Sequence, residues 1–125
     1  MQRIYVAGPL TPHGKKIKTD GTLENAAIEY LYNVRSLVLA AVLCLEKGWA
    51  PFCPALDLQY FLSTPTTGLL NEQAIKGLSM AWLEVSDAIL MLPGWERSEG
   101  SRLEYQRATE LGLVVYLSIE GVPHA

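Results

Sequence analysis

Cysteine is nearly absent: the 125 residues hold two, Cys44 and Cys53, in apolar surroundings and without CxxC spacing. A disulfide framework is thereby excluded, and two buried reduced thiols in a cytoplasmic protein are expected. Histidine is as scarce. His13 and His124 stand apart, with no Cys, His or Asp at ligand spacing, so no metal is expected. Positive charge is not in surplus, with 10 Lys and Arg against 13 Asp and Glu and a net charge of -3. A surface built for a nucleic-acid backbone is normally basic, so no nucleic-acid partner is expected. The start is not leader-like, because the stretch from Met1 is short and breaks at Gly8-Pro9. The longest apolar stretch, Val34 to Leu45, includes Arg35 and Ser36 and reads as too short to span a membrane. Repeats and low-complexity tracts are missing. So are GxGxxG, the P-loop pattern and GxSxG, which removes the usual dinucleotide, phosphate-loop and nucleophile-elbow fingerprints.

What remains is half hydrophobic and 18% charged, enough for one packed domain over residues 1–125. Arg3 to Ala7 reads as a short buried strand stopped by Gly8-Pro9. A polar loop over 9–22 follows, and long loops in small domains are usually functional or mobile. With Thr22 as N-cap, Leu23 to Lys47 reads as a helix whose core face is Ala27, Leu31, Val34, Val38, Ala41, Val42 and Leu45, closed by Gly48. Trp49 to Cys53 is a second strand. Leu56 to Leu62 reads as a helical turn or loop, and Ser63 to Gly68 as loop. Asn71 caps a helix to about Val85, Asp87 to Leu92 is the clearest buried strand, and Ser101 to Leu111 is a helix. Leu113 to Ser118 closes the series, with a loose tail from Glu120. Apolar strands alternating with helices predict a three-layer α/β sandwich of flavodoxin-like type, with a parallel sheet of four to five strands.

In such sheets the ligand sits outside the carboxyl ends of the strands. Those ends are Gly8-Pro9-Leu10-Thr11, Pro54 to Asp57 and Pro93 to Ser101, where the unusual residues gather. Glu104, one turn into the last helix, faces the crevice and is expected to stay ionised beside the helix N-terminus, as a nucleophile must. It is equally readable as a solvated glutamate, or as the capping-box partner of an N-cap at Ser101. Ser98, Gly100 and Ser101 before a helix can form an anion site. Tyr5 reads as a core tyrosine or as a phenol that orients a carboxylate. Trp95 reads as a loop residue or as a stacking surface for a flat ligand, whereas Trp49 and Trp82 read as core. Asp87 is expected to position neighbouring backbone.

Three segments together resemble a known family. They are Ile4-Tyr5-Val6-Ala7-Gly8-Pro9, Ser86-Asp87-Ala88-Ile89-Leu90-Met91-Leu92, and Gly94-Trp95-Glu96-Arg97-Ser98-Glu99-Gly100-Ser101-Arg102-Leu103-Glu104. These are similar to the nucleoside 2-deoxyribosyltransferase-like superfamily, in particular its small bacterial and phage branch, and the likeness covers most of the chain. The resemblance implies cleavage of an N-glycosidic bond, with Glu104 attacking the anomeric carbon and Tyr5 orienting it. Ser98 stands where the nucleotide hydrolases carry a phosphate-binding serine and the transferases an aspartate. A nucleoside 5'-monophosphate is therefore the expected substrate, with Gly8, Pro9, Leu10, Thr11, Trp95, Ser98, Gly100 and Ser101 as substrate contacts. No metal or organic cofactor is implied, and a homodimer or larger homo-oligomer is. One departure stands out: Ser79 occupies the position of the aspartate that protonates the leaving base, and serine is a poor acid near neutral pH. Asp57, Glu72 and Glu84 are the replacements by location, and Asp57 is chosen for its place at the crevice end of the second strand. A deoxyribosyltransferase on free nucleosides and a catalytically silent nucleotide-binding module are the rival readings.

Overall fold

The computed structural model describes residues 1–10, 22–63 and 72–125. Strand β1 (Arg3–Ala7) leads to helix α1 (Thr22–Glu46) and strand β2 (Ala50–Phe52). A 3-10 turn (Pro54–Asp57) runs into the short helix α2 (Leu58–Ser63). Helix α3 (Glu72–Glu84), strand β3 (Ala88–Met91), a second 3-10 turn (Trp95–Arg97), helix α4 (Glu99–Glu110) and strand β4 (Val114–Tyr116) complete the order. The strands form one parallel sheet in the order β2-β1-β3-β4. That is the flavodoxin-type order without its fifth strand, and its switch point lies between β1 and β3. The loop over 11–21, the Asn71 cap and Thr11 fall outside the described residues, as does most of the loop expected over 63–68.

The middle strands carry no polar alternation because both of their faces are covered. Ile4, Val6, Ala88 and Leu90 pack with Leu37, Ala40, Ala41 and Cys44 of α1. The alternate residues Tyr5, Ala7, Ile89 and Met91 pack with Leu83 of α3 and Ala108 of α4. The large apolar side chains Ile4, Val6, Leu90, Ile89, Met91 and Leu83 of these clusters are fully buried, each stabilising by about 1.5–3 kcal/mol. Helix α1 ends in a Schellman turn: Gly48, at φ 89°, donates to Leu45 O, and Trp49 N reaches back to Cys44 O.

Several expectations need correction. The core face of α1 is Leu37, Ala40, Ala41 and Cys44, flanked by Val34 and Val38, whereas Leu31, Val42 and Leu45 point outward. The apolar residues go nearly all round this helix, so the periodicity did not single out the buried stripe. For the same reason Ala27–Glu46 is, at a mean hydropathy of 1.5, long and apolar enough to cross a membrane by length and composition, contrary to the shorter reading. Trp82 is 47% exposed rather than core, with its ring stacked on Phe52 at 5.5 Å. The tail is not loose. Val122 is buried, Lys47 Nζ donates to Ile119 O and Val122 O at 2.9 and 2.7 Å, and Trp49 Nε1 donates to Pro123 O at 2.7 Å.

Candidate functional site

At the carboxyl ends of β1, β2 and β3 a cavity of about 760 Å³ opens. Gly8, Pro9 and Leu10 form its wall after β1, and Pro54 and Ala55 its wall after β2. Ser98, Gly100, Ser101 and Glu104 line it from α4. This is the size and position of a small-molecule site in a sheet of this topology. Gly8 is held there by packing, since a Cβ would meet Leu92 Cβ at 3.0 Å and Leu37 Cδ2 at 3.1 Å. A Cβ at Gly100 would meet no atom within 4 Å, so nothing in the protein itself asks for glycine there.

Behind Glu104 lies a chain of buried polar groups. The Tyr5 hydroxyl, on a fully buried side chain, donates to Glu104 Oε2. The Ser79 hydroxyl donates to Asp57 Oδ2 at 3.0 Å and also acts on the Tyr5 phenol. Sequence positions 5, 57, 79 and 104 thus meet because β1, the turn after β2, α3 and α4 converge on one side of the sheet. Burial pushes the Glu104 carboxyl up to about 7, reinforced by the negative charge of Asp57 and opposed by the Tyr5 hydrogen bond. Burial also pushes the Asp57 carboxyl up, against the pull of Ser79. The Tyr5 phenol is raised far above its ordinary range, by burial first and by Glu104 second. A carboxyl near 7 beside a second carboxyl with a raised pKa is an arrangement that can divide nucleophile and acid roles.

The expectation that Glu104 stays ionised is therefore corrected: desolvation outweighs the helix dipole. The geometry of α4 explains part of this. Its N-cap is Ser98, whose Oγ accepts from Ser101 N at 3.3 Å, so the helix starts at Glu99 and Glu104 lies in its second turn. The capping box of Ser101 with Glu104 does not form. Trp95 does not line the cavity; it stacks on Tyr105 at 4.6 Å and packs on the core. Tyr5, Asp57 and Ser79 are also absent from the lining; Tyr5 touches the site through Glu104, and Asp57 and Ser79 lie behind it. Among the replacement acids, Glu84 is tied to Arg107 at 3.2 Å on the surface. Asp87 acts on backbone as expected, accepting from Arg3 N at 2.7 Å.

Sequence reasoning missed Asn33, Lys76 and Arg97, all of which line the cavity. Asn33 left a signal: it lies four residues before Leu37 on the buried side of α1, and its Nδ2 donates to Leu10 O at 3.2 Å, fixing the loop after β1. Lys76 and Arg97 left none, because cations near a crevice look like any solvated surface charge. Among the described residues no group of three or more His, Cys, Asp or Glu is arranged to hold a metal.

No curated protein matches the chain. Residues 32–117 match the family described as Domain of unknown function (DUF4406), a span that holds Asp57, Ser79 and Glu104 and leaves Tyr5 outside. With well over half of its length in that match, the chain belongs to the DUF4406 family.

Proposed function

We propose that this protein cleaves the N-glycosidic bond of a nucleoside 5'-monophosphate, with Glu104 as nucleophile. The observation that carries the reading is the hydrogen bond from the buried Tyr5 phenol to a carboxyl that lines a cavity large enough for a nucleotide. The ionised Glu104 attacks the anomeric carbon. An ester bond forms there as the carbon–nitrogen bond breaks, and the bonding pair leaves with the base. Tyr5 fixes one carboxyl oxygen so that the other is aimed at the sugar.

The departing base nitrogen needs a proton, and Asp57 is its source. Burial keeps that carboxyl protonated to higher pH than usual. The Ser79 hydroxyl, bonded to Asp57 Oδ2 at 3.0 Å, holds that carboxyl in place. Serine at position 79 thus positions an acid it does not itself supply. Water next attacks the anomeric carbon as the now ionised Asp57 takes its proton, the ester opens, and Glu104 is released as a carboxylate. Ser98, Gly100 and Ser101 in the wall support binding of the 5'-phosphate. The outward side of α1, where Ile28, Leu31, Tyr32, Leu39 and Val42 are exposed, supports a homo-oligomer.

The test is incubation with each common nucleoside and nucleoside 5'-monophosphate, followed by chromatography for free base. Release from monophosphates in water is expected. Release only with an added acceptor base would make the protein a transferase, and binding without release in any mixture would make it a silent binding module.

A further inference from the structure

We infer that Arg97 is the residue that makes the cavity select a phosphorylated ligand; this rests on the reading of the cavity as a nucleotide site. Most arginines in the chain already have a use. Arg3 donates to Val85 O at 3.3 Å, Arg102 donates to Glu96 O at 2.8 Å, and Arg107 pairs with Glu84 and Glu110. Arg35 sits on the exposed side of α1. Arg97 lines the cavity, and its guanidinium makes no hydrogen bond or ion pair with a described residue. Gly94, at φ 89°, turns the chain beneath it, and a Cβ there would lie 3.4 Å from Arg97 Nη2 and 3.4 Å from Pro9 Cγ. The exposed guanidinium thus lies near the loops after β1 and β3, by the switch point of the sheet.

The charges of the cavity show why such a group is needed. Its walls carry Glu29, Glu99 and Glu104 against Lys76 and Arg97. A phosphate dianion entering among three carboxylates is repelled unless a cation meets it. A guanidinium does so with two parallel N–H donors matched to two phosphate oxygens, a geometry an ammonium lacks. Arg97 directly precedes Ser98, the N-cap of α4, and both residues line the cavity. A nucleoside gains nothing from this group.

The experiment is calorimetric titration of wild type and Arg97→Gln with the common nucleoside 5'-monophosphates and the matching nucleosides. The ratio of the two affinities in wild type should favour the monophosphate and should fall at least about tenfold in the variant, the worth of one charge-assisted contact. Arg97→Lys, which keeps the charge but not the fork, should fall between them. An unchanged ratio in Arg97→Gln, or equal wild-type affinity for both ligands, would overturn the inference. The cleavage reading fails separately: monophosphate binding that depends on Arg97 with no base released sinks the reaction and leaves the selectivity standing.

Discussion

At the amino ends of the strands, polar side chains terminate on main-chain groups. Asp87 takes the Arg3 amide, Arg3 reaches Val85 O, and Lys47 and Trp49 hold the carbonyls of the returning tail. At the carboxyl ends, titratable side chains meet other side chains instead. Tyr5 holds Glu104 and Ser79 holds Asp57, with Ser98, Asn33 and Arg102 the ones turned to backbone. A backbone partner cannot change its charge, so the first end offers no partner that trades protons with its side chains. Carboxyls held by hydroxyls can gain or lose a proton, and burial raises the cost of their charged forms. The lesson is that a polar network's partners, more than its size, separate a fastening from a reaction centre.

The sharpest way to break this contrast is Glu104→Gln. Base release should fall by three orders of magnitude or more while the fold is kept, and activity within about tenfold of wild type would remove Glu104 as nucleophile. Asp57→Asn comes next. On a natural base the loss should be about 10²- to 10⁴-fold, and on a substrate whose leaving group needs no proton it should be small. Equal loss on both would return Asp57 to the fastening class.

The pH dependence follows from Glu104, pushed up to about 7. Below that pH the nucleophile is protonated, so ionising Glu104 favours the reaction up to about 7; the acid Asp57 must still hold its own proton, so kcat/KM should be bell-shaped and fall again at higher pH. Stability moves the other way. The folded carboxyl holds its proton to higher pH than the unfolded one, so stability is full below the unfolded value and declines as pH rises through 7. Gln does not titrate. The melting temperature of Glu104→Gln relative to wild type should therefore rise between pH 5 and pH 8, and a flat difference would contradict the burial argument.

Two smaller effects complete the contrast. Asp87→Ala should cost about 1 kcal/mol in denaturant unfolding, the net worth of an exposed hydrogen bond, with base release unchanged. Gly100→Ala should do the reverse. It stabilises α4 by about 0.5–1 kcal/mol because the new methyl meets nothing in the protein, and it weakens substrate binding because the methyl stands in the cavity.

The sheet was legible because Ile4 to Ala7 and Ala88 to Met91 are apolar runs closed by Gly-Pro and Pro-Gly, signals written within a few residues. The crevice followed from the strand order. The side of α1 that packs was not legible, since leucine and valine occupy both its buried and its exposed faces. Glu104 and Tyr5 could be named as candidates, but their bond spans 99 positions and no local pattern announces it. The ionisation of Glu104 was misread for a related reason: its surroundings are set by Asp57, Tyr5 and burial, all remote in sequence, and not by its own helix.

The alternation of β1 carries one more consequence. Its one tyrosine, Tyr5, places a ring in the core beside Phe52, Ala7 and Met91 while the oxygen on that ring belongs to the site. Architecture and reactivity are thus divided within a single side chain, at one covalent bond. Tyr5→Phe cuts along that boundary, so the ring goes on filling its place while the carboxyl opposite loses its guide. A lineage drifting away from this chemistry has a one-atom exit at residue 5 that leaves the sheet intact, whereas any residue too small to fill the space of the ring would undo the fold before it reached the reaction.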